Sequence, residues 1–281
     1  IFIIMDTDDC TEKQKKDFIN KEIFKEHWAY KYIVPIYNIP ELESVLEMAK
    51  DRFPRHDAII ISTFSLPSFN DNFDDEKGII NSDLKNPWGI INLPDGRFLI
   101  TSKSGYFNIL AADGKTTSKV EGLPKVDAKG QGGLLDVALD PDFQNNRMVF
   151  WSFSEPYSGG NHTAVAKGKL SSDEKLIENP VVIFRATPTY DGDKHYGSRL
   201  VFDKDGNLFV STGERSDKET RVFAQKQDSY LGKVLKITKD GKPAPGNPNL
   251  SGWKPEIYST GHRNPQGLAI DEKGQLWESE M

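Results

Sequence analysis

One pattern recurs four times along the second part of the chain: an apolar strand, a turn of Asp, Pro, Asn or Gly, and a second apolar strand. It runs through Pro87–Ile100 (PWGIINLPDGRFLI), Val137–Phe150 (VALDPDFQNNRMVF), Leu200–Val210 (LVFDKDGNLFV) and Leu268–Trp277 (LAIDEKGQLW). Within each copy apolar residues tend to alternate, the period of a strand that packs by its faces. The Asp-Gly and Lys-Gly turns supply the positive φ that tight hairpins need. The turn residues Gly96, Asn146, Gly206 and Gly274 mark spacings of 50, 60 and 68 residues. Units of that size, each with several short strands and no helices, suit the blades of a β-propeller. A generic β-sandwich with similar hairpins is the alternative. Trp88, Trp151 and Trp277 read as packing between blades.

The first 56 residues obey a different grammar and read as βαβα. Ile1–Met5 is an apolar run fit for a buried parallel strand. Thr11–Ala29 has helical spacing with Thr11 as N-cap, and Tyr32–Tyr37 is a second strand. Pro40 suits the first turn of a helix over Glu41–Arg52. Residues 57–78 read as a linker. Its apolar stretch Ala58–Phe69 follows Arg52 and Arg55 and has the look of a relict signal-peptide core, although it lies in mid-chain. Asp71–Glu76 (DNFDDE) reads as a solvated acidic link. The chain starts with Ile1, and both ends read as cut, so a fragment or a joined reading frame is expected. The expected division is therefore 1–56, 57–78 and 79–281.

Asp6-Thr7-Asp8-Asp9 follows the first strand, where α/β folds place their sites. An Asp-x-Asp there can hold magnesium, and the element loosely resembles that of Toprim-like nuclease domains. The favoured reading is that these acids cap the following helix.

Composition excludes some partners. A formal charge of -6 argues against a nucleic-acid surface, and no apolar stretch is long enough to cross a membrane as a helix. A single cysteine, Cys10, leaves no internal disulfide.

Beyond the blade pattern stand five ordered motifs: Asn86-Pro87-Trp88-Gly89; Gly130-Gln131-Gly132-Gly133-Leu134-Leu135-Asp136; Asp193-Lys194-His195-Tyr196-Gly197-Ser198-Arg199-Leu200; Leu231-Gly232-Lys233-Val234-Leu235; and Gly261-His262-Arg263-Asn264-Pro265-Gln266-Gly267. Together they resemble the soluble pyrroloquinoline-quinone (PQQ) dependent aldose sugar and glucose/sorbosone dehydrogenases over about 200 residues. The resemblance implies a mainly β fold, a partial and nominally six-bladed propeller. It implies oxidation of aldoses to lactones with PQQ and calcium as cofactors. His195 takes the place of the general base, Glu214 that of the carboxylate holding it, and Arg263 that of the cation polarising the quinone. Gln131, Arg263 and Asn264 fall at cofactor-binding positions. Glu214 has rival partners in Arg199 and Arg215, Arg263 could instead tie blades together through a carboxylate, and His162 reads as a loop histidine.

The resemblance further implies an aldose substrate, an artificial or cytochrome-type electron acceptor, and a periplasmic or secreted location. A homodimer is left open. The family's calcium-binding carbonyls and later cofactor clamps are expected beyond Met281, so this chain is expected to hold no competent calcium or PQQ site. Two rival functions remain: a non-catalytic binding propeller of the same fold, and a metal-dependent lactonase, for which no central Glu/Asn/Asp cluster can be assembled.

Overall fold

The computed structural model describes residues 81–280, together with strands β1 (Phe2–Met5) and β2 (Val34–Tyr37). The chain divides into two units, Ile1–Ser62 and Thr63–Glu280. In the first unit β1 and β2 pair in parallel, Phe2 opposite Val34 and Met5 opposite Tyr37, as the two short apolar runs predict. The helices expected over 11–29 and 41–52, the acids Asp6–Asp9, Cys10 and the 57–78 linker lie outside the described residues.

The second unit is built from three four-stranded antiparallel sheets and a two-stranded pair. The first sheet holds β3 (Pro87–Asn92), β4 (Phe98–Ser102), β5 (Tyr106–Leu110) and β6 (Thr117–Val120). The second holds β7 (Leu134–Leu139), β8 (Met148–Tyr157), β9 (Gly160–Leu170) and β10 (Ile177–Arg185). The third holds β11 (Gly197–Phe202), β12 (Leu208–Thr212), β13 (Lys233–Ile237) and β14 (Ile257–Thr260), and β15 (Pro265–Ile270) pairs with β16 (Leu276–Glu280). In every sheet spatial order follows chain order, the meander of a propeller blade. The first strands β3, β7, β11 and β15 neighbour one another from blade to blade. The unit is thus a partial β-propeller, not a two-layer sandwich.

The middle blade shows how alternation builds this. Successive side chains of a strand point to opposite faces. In β8, Val149, Trp151 and Phe153 join a core with Leu99, Phe107 and Val120 of the first blade. The intervening Phe150 joins the core shared with Leu200, Leu208, Val210 and Leu235 of the third. Both faces are dry, so the strand reads as a nearly continuous apolar run. Trp151 is fully buried and meets Phe107 edge-on, with centroids 5.8 Å apart.

Gly96, Gly206 and Gly274 have the positive φ expected of the Asp-Gly and Lys-Gly hairpin turns, and in the second copy Arg147 (φ 54) takes that role beside the turn residue Asn146. The longer turn winds into one helical turn, α1 (Phe143–Asn146), and Arg147 caps it in the left-handed region. Of the three tryptophans expected to pack between blades, Trp151 alone is fully buried. Trp88 is half-buried beneath the Arg199 guanidinium, 4.7 Å from its ring centre, and Trp277 is 40% exposed.

Candidate active site

The site forms where the first strands of neighbouring blades begin. Strands β11 and β12 pair antiparallel with Gly197 opposite Thr212. Following that pairing two residues outward brings His195 opposite Glu214. The two side chains meet with Nδ1 2.6 Å from Oε1, and both are nearly fully buried. The close approach requires glycine at 213, where a Cβ would lie 2.1 Å from the His195 carbonyl oxygen.

His195 sits at φ 49, a left-handed conformation that a non-glycine residue adopts only when its surroundings hold it there. Gln131, in the turn before β7, supplies one restraint. Its Oε1 accepts the His195 backbone N–H at 2.8 Å, and its own N–H donates to the Asp193 carbonyl at 2.7 Å. From the other side, Asn264 Oδ1 accepts the Gly197 N–H at 3.0 Å. The Arg263 carbonyl accepts the Glu214 N–H at 2.9 Å. Arg263 Nη1 lies 4.0 Å from Glu214 Oε1, and its side chain is 43% exposed. Gln131, His195, Glu214, Arg263 and Asn264 are therefore linked through one corner of the unit.

The rival pairings expected for Glu214 do not form. Arg199 Nη1 donates instead to Asp136 Oδ1 at 2.9 Å, and Arg215 binds only carbonyl and amide oxygens. Among the described residues the Arg263 side chain makes one ion-pair contact, with Glu214, while its backbone N–H donates to Glu280 Oε2 at 2.8 Å. His162 is not in a loop. The β8–β9 hairpin reaches to Tyr157 and Gly160, so His162 is a buried strand residue, with Nε2 2.8 Å from Glu155 Oε2 and Nδ1 3.1 Å from Thr189 Oγ1.

Among the described residues several groups at this corner lack a hydrogen-bond partner: Glu214 Oε2, which is buried, His195 Nε2, Gln131 Nε2, Asn264 Nδ2 and the Arg263 guanidinium nitrogens. A buried carboxylate oxygen without a donor is a costly feature that calls for an explanation. The amide N–H groups and the guanidinium form a donor set suited to an acceptor-rich, anionic ligand. Among the described residues one cluster of three acidic or imidazole side chains could hold a metal ion, His262, Glu278 and Glu280, and its imidazole is a poor ligand for a cation as hard as calcium.

The family model described as Glucose / Sorbosone dehydrogenase matches residues 84–281. The chain belongs to the glucose/sorbosone dehydrogenase family. Among its relatives in this family is the aldose sugar dehydrogenase YliI of Escherichia coli, 38% identical over 207 residues, covering 72% of this chain and 55% of the relative. The apo-form crystal structure of the soluble aldose sugar dehydrogenase from Escherichia coli superposes with a TM-score of 0.67 at 39% identity, covering 73% of this chain and 59% of that one. The PQQ-bound aldose sugar dehydrogenase of Streptomyces coelicolor superposes with a TM-score of 0.63 at 34% identity, covering 72% and 58%. The chain thus spans little more than half the length of these family members.

Sequence reasoning gave no site role to two residues of this corner, Asn161 and Arg215, and weighed Arg215 only as a rival partner of Glu214. Both are almost fully buried polar side chains. The signal for Arg215 was its place directly after Glu214, but sequence does not show which way such a side chain turns.

Proposed function

We propose that this chain carries the base-bearing part of a PQQ-dependent sugar dehydrogenase that oxidises aldoses at the anomeric carbon to lactones. The observation that carries the reading is the buried His195–Glu214 pair, 2.6 Å apart, with His195 Nε2 free of any described partner. A histidine suits proton removal near neutral pH. Glu214 accepts the Nδ1–H, which fixes the tautomer with Nε2 as acceptor and stabilises the imidazolium once Nε2 has taken the C1 hydroxyl proton.

Gln131, Arg263 and Asn264 would hold the cofactor through their free N–H groups, with the Arg263 cation beside the position where negative charge develops. When bound, PQQ supplies the two-electron acceptor for the hydride leaving the anomeric carbon. The aldose thereby loses one hydride and one proton, the proton resting on His195. The PQQ-bound Streptomyces relative supports the cofactor assignment. Calcium is retained as the family's second cofactor, with no ligand set assigned to the described residues.

The test is glucose-dependent dye reduction by the purified chain with PQQ and calcium, beside His195→Ala. If the parent chain turns over, the substitution is expected to lower the rate by about 10²- to 10⁴-fold, the usual contribution of a general base; a parent without turnover bears on cofactor binding and not on the base. Turnover unchanged in His195→Ala would overturn the assignment.

A further inference from the structure

Arg215 is only 1% exposed, yet no carboxylate lies within ion-pair distance of it among the described residues. Burying a guanidinium without a carboxylate is costly unless its donors are used. Here they are used on two segments. Nε donates to the Lys194 carbonyl at 3.0 Å, and Nη2 donates to the Gly192 carbonyl at 2.6 Å. Nη1 and Nη2 also donate to Asn161, at its backbone carbonyl (3.2 Å) and its Oδ1 (2.6 Å). The Tyr196 ring covers the cation at 4.1 Å, and the Tyr196 hydroxyl donates to the same Asn161 Oδ1 at 2.9 Å. Asn161 closes the frame by donating to the Gly192 carbonyl at 2.9 Å and to Asp127 at 3.0 Å.

Every contact of this guanidinium is thus with the segment leading into His195, with the residue after it, or with the hairpin supporting that segment. Three non-glycine residues of the corner hold left-handed backbone: His195 (φ 49), Arg215 (φ 73) and Ser216 (φ 76). Such conformations cost about 1–2 kcal/mol each and persist only when over-determined. Arg215 follows Glu214 directly, so one residue restrains both members of the pair. A lysine carries the charge but lacks the planar fork that reaches several oxygens at once.

We propose that Arg215 is a positioning residue for the reaction: its buried guanidinium clamps the 190–194 segment to the Glu214 turn and so fixes His195 Nδ1 on the Glu214 carboxylate. The inference rests on the reading of His195 as the base, but it concerns the geometry of the pair and is measurable without turnover.

The test uses the chain labelled with ¹⁵N at histidine, the His195 Nδ1–H resonance being assigned by its loss in His195→Gln. In Arg215→Lys, with fold checked by circular dichroism, that strongly deshielded resonance is expected to move upfield or broaden. Dye reduction with PQQ and calcium is expected to lose turnover on the order of a hundredfold, the cost of a misplacement of about 1 Å, with KM changed by less than about twofold. Arg215→Gln serves as the second variant should the lysine variant not fold. A folded variant with the resonance in place would overturn the proposal, as would failure of both variants to fold, which would make Arg215 a scaffold residue only. If the unsubstituted chain reduces no dye, that result bears on the sugar-oxidising reading alone, and the imidazole resonance still decides the clamp.

Discussion

Arg199 reaches from β11 across to β7 and places Nη1 2.9 Å from Asp136 Oδ1, while Asp136 Oδ2 accepts the Leu200 N–H at 2.8 Å. Asp136 is fully buried, and that burial pushes its carboxyl above the usual range although Arg199 and the backbone donors pull the other way. The pair ties the first strands of adjacent blades together and engages Arg199, leaving Glu214 to His195.

Gly89 in β3 packs directly on this junction. A Cβ there would lie 2.8 Å from Asp136 Oδ1, 3.0 Å from the Leu135 carbonyl and 3.1 Å from Asp136 Cα. Two of those atoms are backbone and cannot swing aside. Gly89→Ala is expected to cost about 1–3 kcal/mol, the range for overpacking a tight contact, read as a lower urea midpoint. An unchanged midpoint would show that the blades separate there without cost.

Lys233 is fully buried and donates all three ammonium hydrogens to carbonyls, those of Phe223 (2.7 Å), Ala224 (2.9 Å) and Leu231 (2.7 Å). Burial pushes its pKa down to about 8. Lys233→Met would fill the space but leave three carbonyls without their donor, so a loss of about 3 kcal/mol is expected in urea unfolding. A variant as stable as the parent would mean that water or rearrangement replaces the ammonium.

His262 lies between Glu278 and Glu280, 3.5 and 3.7 Å from Nδ1, with Ser259 Oγ 2.6 Å from Nε2. Burial acts to lower its pKa, but hydrogen bonds and charge from the two glutamates outweigh it and raise the value from 6.5 to about 9. The folded state thus binds the proton more tightly than the unfolded one. The stabilisation is fully present below about pH 6.5 and is lost as pH rises toward 9. Across that window the stability advantage of the parent over His262→Gln is expected to shrink by about 2–3 kcal/mol, measured by urea unfolding at each pH. Lys233, with its lowered pKa, adds stability only as pH rises above about 8, so the difference between parent and variant is needed to isolate the histidine. A pH-independent difference would refute the triad.

The blades were legible because strand alternation and Asp/Gly turns are local signals, and the turn glycines at 96, 206 and 274 carry the expected backbone. The helical turn that ends at Asn146 was not foreseen, because no hairpin rule predicts that so long a connection winds. The residues of the candidate site were legible through motif order, and their partners less so. Whether Glu214 meets His195, Arg199 or Arg215 depends on which buried oxygens each arginine reaches, a three-dimensional choice with no sequence period. His162 was misread for a related reason, since only the pairing of Glu155 with His162 shows that the β8–β9 hairpin extends so far. Trp277 looked like core because of its residue type, yet its indole N–H is turned to Asp271 at 3.0 Å.

Because His195 and Glu214 stand opposite each other on a continuation of the β11–β12 ladder, their separation is inherited from backbone pairing rather than from the length of the connecting hairpin. The Asp203–Asn207 turn lies at the far end of that ladder. That tip can be lengthened, shortened or redecorated while the His195–Glu214 end stays in place. A one-residue slip between the two strands would separate the partners at once.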